Sequence, residues 1–255
     1  MVEVKSPAEV DAMRAAGRVV AAALAAVRAR AGVGVALREL DEVARDVLAG
    51  AGARSTFLDY RPRFAPVPFP AVLCTSVNDA ALHGIPTGYR LRDGDLLSID
   101  FGAEVDGWAA DAAETVIVGT ARPEDERLVA TTRAALAAGI AAARPGNRIG
   151  DVSAAIGALA RDAGYGVNTD FGGHGIGRRM HEEPSVPNAG RAGRGLPLRP
   201  GLVVAIEPWF LAGGRPGYRV DEDGWTLRSA DGSRAAHEEH TVAVTPDGPR
   251  VLTIP

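Results

Sequence analysis

One order of elements occurs twice along the chain: two helices, strands, two more helices, strands. Ser6-Pro7-Ala8-Glu9 starts the first helix, with Ser6 able to cap, Pro7 suited to the first helical position and Glu9 completing a capping box. Val10, Met13, Val20, Leu24 and Val27 follow at helical spacing, and Gly17 falls on the same face, where it leaves room for close packing. A second helix is expected over about Leu37 to Ala49, with Leu37, Leu40, Val43, Ala44, Val47 and Leu48 on one face and Gly50 and Gly52 at its end. From Ala71 to Thr120 short β-prone runs appear, such as LLSID and ETVIVG, separated by Gly and Asp. Pro123 opens a third helix that closes before Pro145-Gly146, and a fourth covers about Ile149 to Ala163 and closes at Gly164. Strand texture then returns in GLVVAI, HTVAV and RVLTI. The second helix of each half can be laid on the other with a shift of about 112 residues, which puts Leu40 on Val152, Val47 on Leu159 and Ala51-Gly52 on Ala163-Gly164. With the shared element order, this points to an internal duplication: two αβ halves around one sheet, with a site between them that can draw residues from both.

No linker or low-complexity segment divides the chain. Arg61 to Pro70 holds four prolines among ten residues and reads as a stiff surface loop. The formal net charge of -4 gives no electrostatic reason to expect nucleic acid or an anionic membrane as a partner. A single cysteine, Cys74, excludes an internal disulfide and a thiolate cluster for zinc, and suits a reducing compartment. The N-terminus lacks the basic run and apolar core of a signal peptide, and Val19 to Val27 is too short to span a bilayer. The expected location is the cytoplasm.

Four stretches could carry chemistry. In the first, Asp106-Gly107 lies between two β-prone runs, the usual mark of a tight hairpin. If those two residues form the turn, position 111 pairs with Gly102, and Asp100 and Asp111 lie diagonally adjacent on one face. Two carboxylates held so close need a cation or a shared proton; the alternative is that Asp111 is solvated near a turn. In the second, glycines on both sides of His174 allow close backbone approach, and His181 lies seven residues on. Glu182 and Glu183, next in the chain, read as solvent-facing or salt-bridged. In the third, Glu207 ends the apolar run Leu202 to Ile206, and a buried carboxylate must be paired, hydrogen-bonded or metal-bound. In the fourth, His237-Glu238-Glu239-His240 enters another β-prone run, and the pattern does not choose between Glu238 and Glu239. Four carboxylates with one histidine form an oxygen-rich set suited to a pair of divalent ions such as Mn, Fe, Co or Zn. Two such ions can share a bridging water and polarise a carbonyl, which suits amide hydrolysis. The chain has no G-x-S-x-G elbow, Walker loop or H-E-x-x-H helix.

In their order these motifs resemble the methionine aminopeptidases: LHGIP at 82–86, SID at 98–100 with Asp111 eleven residues on, GHGIG at 173–177, HEEP at 181–184, IEP at 206–208, DGWT at 223–226 and EHT at 239–241. The opening KSPAEVDAMRAAGRV resembles that of bacterial members, so the likeness covers nearly the whole chain. It implies an α+β pita-bread fold, two pseudo-symmetric αβ halves around a curved antiparallel sheet, as a single catalytic domain over 1–255 with halves of about 1–120 and 121–255. It implies two divalent metal ions held by Asp100, Asp111, His174, Glu207 and Glu239, and so selects Glu239 over Glu238. His83 and His181 match two active-site histidines that are not ligands, and Glu207 is also the expected proton shuttle. Tyr60, Phe69, Cys74, Met180 and Trp225 would line a methionine pocket, with Phe57 a further candidate; thioether contacts with aromatics and sulfur suit that side chain. The implied substrates are nascent polypeptides beginning with methionine before a small residue, with a transient ribosome contact, no nucleic acid or membrane, and a monomeric state. The short spacing between His174 and Glu207 and the lack of a cysteine-rich extension resemble the bacterial first type.

Two positions and one segment depart from the family pattern. Gly102 replaces a common threonine, Ala110 replaces a glycine, and the Tyr60 to Phe69 segment is about six residues longer than in the simplest bacterial members. Two rivals stand beside this reading. One is a proline-directed peptidase of the same fold, since Asp100-Phe101-Gly102-Ala103 resembles those enzymes. The other is a non-catalytic binding protein of that fold.

Overall fold

In the computed structural model, residues 2–63 and 65–255 are described; Met1 and Phe64, the latter inside the proline-rich loop, lie outside the described residues. Helix α1 spans Pro7–Arg30, α2 Leu37–Ala51, α3 Pro123–Ala142 and α4 Ile149–Ala163. The capping box at the start of α1 forms as expected: Ser6 Oγ accepts from Glu9 N–H, and the Glu9 carboxylate accepts from Ser6 N–H at 2.8 Å. An added Cβ on Gly17 would collide with the carbonyl oxygen of Leu252, so this glycine lets the C-terminal segment lie against α1.

The helix pairs repeat one another closely. Helices α2 and α4 are each 15 residues long, and each ends on a left-handed glycine, Gly52 or Gly164. Each also starts with an acid three residues on that accepts from the N-cap N–H, Glu39 to Ala36 and Asp151 to Arg148. Ala36 and Arg148, at equivalent positions, both make an isolated antiparallel bridge, to Arg90 and Pro197. The helices lie at the offset of about 112 residues read from the sequence.

Among the described residues, nine strands form one antiparallel sheet, and six more form two three-stranded sheets. The main path of the nine-stranded sheet runs Arg54–Ser55, Asp95–Val105, Trp108–Val118, Glu239–Thr245, Val203–Ile206, Gly173–Gly175 and Glu182–Val186. Cys74–Val77 joins on Asp95–Val105, and Gly248–Val251 joins on Glu239–Thr245. Trp108–Val118 from the first half and Glu239–Thr245 from the second pair directly, so the halves share one sheet. Each half has its own apolar core. One joins Val20, Leu24 and Leu40 to Leu97, Ile99 and Phe101; the other joins Leu128, Leu136 and Ile156 to Val204, Ile206 and Val242. Burying such residues fully contributes roughly 1.5–3 kcal/mol each, so each half of the shared sheet is held by packing against its own helix pair. No helix among the described residues is long and apolar enough to cross a membrane.

Candidate metal centre

Strand register brings three of the four acids together, two from the first half and one from the second. Asp106 and Gly107 form the hairpin turn with φ of 51° and 76°, the left-handed values a type I′ turn needs. Gly102 then pairs with Asp111, as the spacing requires. Asp100 and Glu239 both pair with Ala113, from strands on either side of it, and Asp111 is two residues from Ala113. Paired residues share a sheet face, and so do residues two apart. The carboxylates of Asp100, Asp111 and Glu239 therefore project together. Asp111 is 4% exposed, which removes the alternative of a solvated acid beside a turn. Thr241 Oγ1 accepts from Asp111 N–H at 2.9 Å and donates to Asp111 carbonyl oxygen at 2.8 Å, fixing this junction between the halves.

The second half also supplies His174 and Glu207. His174 sits between Gly173 and Gly175, where an added Cβ would strike the carbonyl oxygens of Ala205 and Glu183. The glycines thus let three backbone segments close around the imidazole. His174 Nδ1 lies 2.9 Å from the carbonyl oxygen of Gly175, which can only accept, so Nδ1 carries the proton and Nε2 offers its lone pair. Donor atoms of Asp111, His174 and Glu239 all lie within 4.8 Å of one another. Glu207 follows the Val203–Ile206 strand, and its Oε1 is 3.5 Å from His174 Nε2. Glu238 turns away: it is buried against Arg133 Nε at 3.0 Å and Thr115 N–H at 3.1 Å. Register separates the two glutamates that the local pattern left open.

The electrostatics of this set call for a cation. Burial drives the carboxyl of Asp111 up to about 7. Burial, and then the Asp111 charge, drives Glu207 up to about 8. Asp100 and Glu239 lie well above the usual carboxylate range, through burial and the neighbouring acids. Asp100 Oδ1, Asp111 Oδ1 and Glu239 Oε1 are buried with no hydrogen-bond partner among the described residues. Orphaned buried oxygens of this kind are costly unless protonated or bound to a metal. Burial also pushes His83 and His174 down to about 4, and His181 lower still with help from His174 and His83. Neutral imidazoles suit metal ligation and hydrogen-bond donation. The residues therefore fit a divalent metal centre.

Above the acids opens a cleft of about 520 Å³ with a sulfur and aromatic wall. Phe57, Phe69, Cys74, Met180 and Trp225 are buried in one cluster, with Tyr60 and Ile85 packed on it. Burial, then the charges of Asp100 and Asp111, keep the Cys74 thiol protonated, so it presents a soft, neutral surface. Asp223 accepts from Trp225 N–H and Thr226 N–H, each at 2.8 Å, and so orients the indole of the Asp-Gly-Trp-Thr motif. The proline-rich loop corrects the surface reading in part. Its tip is exposed, but Ala65 and Phe69 are buried, and Trp225 Nε1 donates to Val67 carbonyl oxygen at 2.9 Å. The longer segment is thus a wall of the pocket. His83 has a left-handed φ of 57°, uncommon for a residue with a side chain and typical of functional sites. His181 lies edge-on to His174, with centroids 4.2 Å apart and planes inclined at 62°, and its Nδ1 lies 2.8 Å from the Tyr60 hydroxyl. Burial raises the Tyr60 phenol; as donor to Nδ1, it leaves the His181 proton on Nε2.

Several contributors were not legible in the sequence. Thr56 is one: a Cβ on Gly102 would collide with Thr56 Oγ1, so the room left by the missing threonine side chain is filled by a hydroxyl from the bend after Arg54–Ser55. Phe171 and Tyr218 also line the cleft. Glu182 is paired, as one of its two readings had it, but in a buried bridge to Lys5 at 2.7 Å; Glu183 is exposed. His237, two residues before Glu239, faces the acids with no local pattern to announce it.

The model of metallopeptidase family M24 matches residues 11–246. Methionine aminopeptidase 1 of Mycobacterium tuberculosis is 50% identical to this chain over 257 residues, covering 98% of this chain and 94% of that protein. The crystal structure of methionine aminopeptidase from Thermotoga maritima superposes with a TM-score of 0.95 at 37% identity, over 100% of both chains. Prolidase from Pyrococcus furiosus superposes at 0.77 with 21% identity, over 99% of this chain and 65% of that one, a likeness of fold alone.

Proposed function

This chain belongs to metallopeptidase family M24 and removes N-terminal methionine from proteins, and we propose that it does so at a two-ion centre held by Asp100, Asp111, His174, Glu207 and Glu239. The observation that carries the reading is the set of orphaned carboxylate oxygens of Asp100, Asp111 and Glu239, gathered from both halves beneath an aromatic and sulfur wall. Mn, Fe, Co and Zn all suit this oxygen-rich set with one imidazole. When bound, the ions supply Lewis acidity that lowers the pKa of water and polarises the carbonyl to be attacked.

The protein's own groups do the rest. Phe57, Tyr60, Phe69, Cys74, Met180 and Trp225 bind the methionine side chain and exclude water from it. His83 and His181 donate N–H hydrogen bonds to the scissile carbonyl oxygen as negative charge develops there. Tyr60 orients His181 by holding its Nδ1. Glu207 takes a proton on its carboxylate from the attacking water and returns it to the departing amine, a task suited to a carboxyl whose pKa is drawn toward the working pH. The substrates are the N-termini of nascent chains with a small second residue, met in the cytoplasm, with a transient ribosome contact and the enzyme acting as a monomer. The residues 1–255 act as one catalytic domain whose halves, about 1–120 and 121–255, meet at the acids.

A peptide panel tests this directly. Met-Ala-Ser, Met-Lys-Ser and Ala-Pro-Ala would be incubated with added Mn, Co, Fe or Zn, and with a chelator. Metal-dependent release of methionine from Met-Ala-Ser alone is the expected result. Cleavage of Ala-Pro-Ala would move the protein to proline-directed hydrolysis. No cleavage with any divalent metal would leave a binding protein of this fold.

A further inference from the structure

His237 has no place in the reading above, yet the fold aims it into the metal centre. Its side chain is 3% exposed, and Nε2 has no hydrogen-bond partner among the described residues. That nitrogen lies 3.8 Å from Glu207 Oε2 and 3.9 Å from Glu239 Oε2, just beyond hydrogen-bond reach of both. The two oxygens of Glu207 are thereby divided between two imidazoles, Oε1 facing His174 and Oε2 facing His237.

The direction of the ring is fixed from behind. Thr115 Oγ1 accepts from His237 N–H at 2.8 Å and donates to His237 carbonyl oxygen at 2.7 Å. The next residue, Glu238, is held by Arg133 and Thr115. A buried imidazole nitrogen without a partner costs free energy that an apolar side chain would avoid. Two carboxylate oxygens repel a ring lone pair and attract an N–H, so the tautomer with its proton on Nε2 is the one that suits this position. We infer that His237 is a positioning residue of the metal centre, its Nε2–H set between the carboxylates of Glu207 and Glu239 and steering both toward the ions. Groups that hold ligating carboxylates from behind typically change metal affinity by about 10–100-fold when removed.

The inference rests on the proposed two-ion centre, and the experiment separates the two. Mn binding to the purified full chain would be measured by calorimetry for wild type, His174→Ala, His237→Leu and His237→Gln, with thermal melting of each metal-free protein. Wild type binding Mn and His174→Ala losing it would uphold the centre; a wild type that binds no Mn would overturn it, and this inference with it. His237→Leu is expected to weaken Mn binding about tenfold or more, with the metal-free melting temperature retained. His237→Gln, which keeps an N–H donor, is expected to restore most of the affinity. Unchanged affinity in His237→Leu would overturn the inference, as would a Gln variant no better than Leu. Should His237→Leu fail to fold, His237→Asn, whose amide stops short of the carboxylates, takes its place with the same expected loss.

Discussion

At the residue scale, the site is a matter of which atoms lack partners and which have them. Asp100, Asp111 and Glu239 keep orphaned oxygens, while His174 has its proton committed to Gly175 carbonyl oxygen. The hydrogen bond from Tyr60 to His181 links the proposed methionine pocket to the histidine proposed to contact the reacting carbonyl. Tyr60→Phe keeps the ring and removes only the hydroxyl. Losing one such bond is worth about 0.5–1.5 kcal/mol, so kcat should fall by up to about tenfold, with metal content and melting temperature unchanged. An unaltered kcat would show that His181 is oriented by its other neighbours. The pair Lys5–Glu182 acts from further away: it is buried, with side chains 1% and 6% exposed, and it ties the N-terminal segment to the residue after His181. Burial raises the Glu182 carboxyl, but the Lys5 ammonium and the Arg179 N–H outweigh it and hold it below the usual range. Removing the cation leaves a buried charge, which typically costs about 3–5 kcal/mol. Lys5→Met should lower the melting temperature markedly, and a melting curve like wild type would contradict this account of the pair.

At the element scale, glycines decide where backbones may touch. Gly17→Ala would gain about 1 kcal/mol in helix propensity but drive its methyl into Leu252 carbonyl oxygen, which belongs to the backbone and cannot swing away. Overpacking of this kind costs about 1–3 kcal/mol. The net expectation is a lower melting temperature; a higher one would mean that the C-terminal segment is loosely held. The same elements show how far the sequence could be read. Asp106-Gly107 named its own turn, so the register of Asp100 and Asp111 followed from counting. The glycines around His174 announced close approach, and the helix copies 112 residues apart announced the duplication. The choice between Glu238 and Glu239 was not local, because it depends on Arg133 and Thr115 from other elements. It was reached only through the resemblance of Glu-His-Thr to a family motif. The pocket position of the proline-rich loop and the hydroxyl of Thr56 beside Gly102 were likewise hidden, since neither has a periodicity and both depend on long-range packing.

At the scale of the whole molecule, two αβ halves meet where their acids cannot all be charged at once. This couples stability to pH in a way that metal should cancel. Asp111 and Glu207 titrate near 7 and 8 in the fold, against 3.8 and 4.5 for the ordinary groups. A carboxyl with a raised folded pKa contributes stability below its unfolded value, and that contribution is lost as pH rises through the folded value. The depressed histidines act in the opposite sense, but above about pH 6.5 they are neutral in both states. Between about pH 6.5 and 8 the carboxylates therefore dominate, and the chelated protein should melt at progressively lower temperature as pH rises. Added Mn should flatten that fall. A chelated melting temperature that rises over this window would refute the coupling. The central claim is that the junction between the halves holds two divalent ions side by side. Low-temperature paramagnetic resonance of the chain titrated with Mn tests it most directly. The account predicts that the second equivalent converts the signal of an isolated ion into the spectrum of a spin-coupled pair, as ions roughly 3.5–4 Å apart require. A second equivalent that adds only more isolated-ion signal, or remains free in solution, would contradict it.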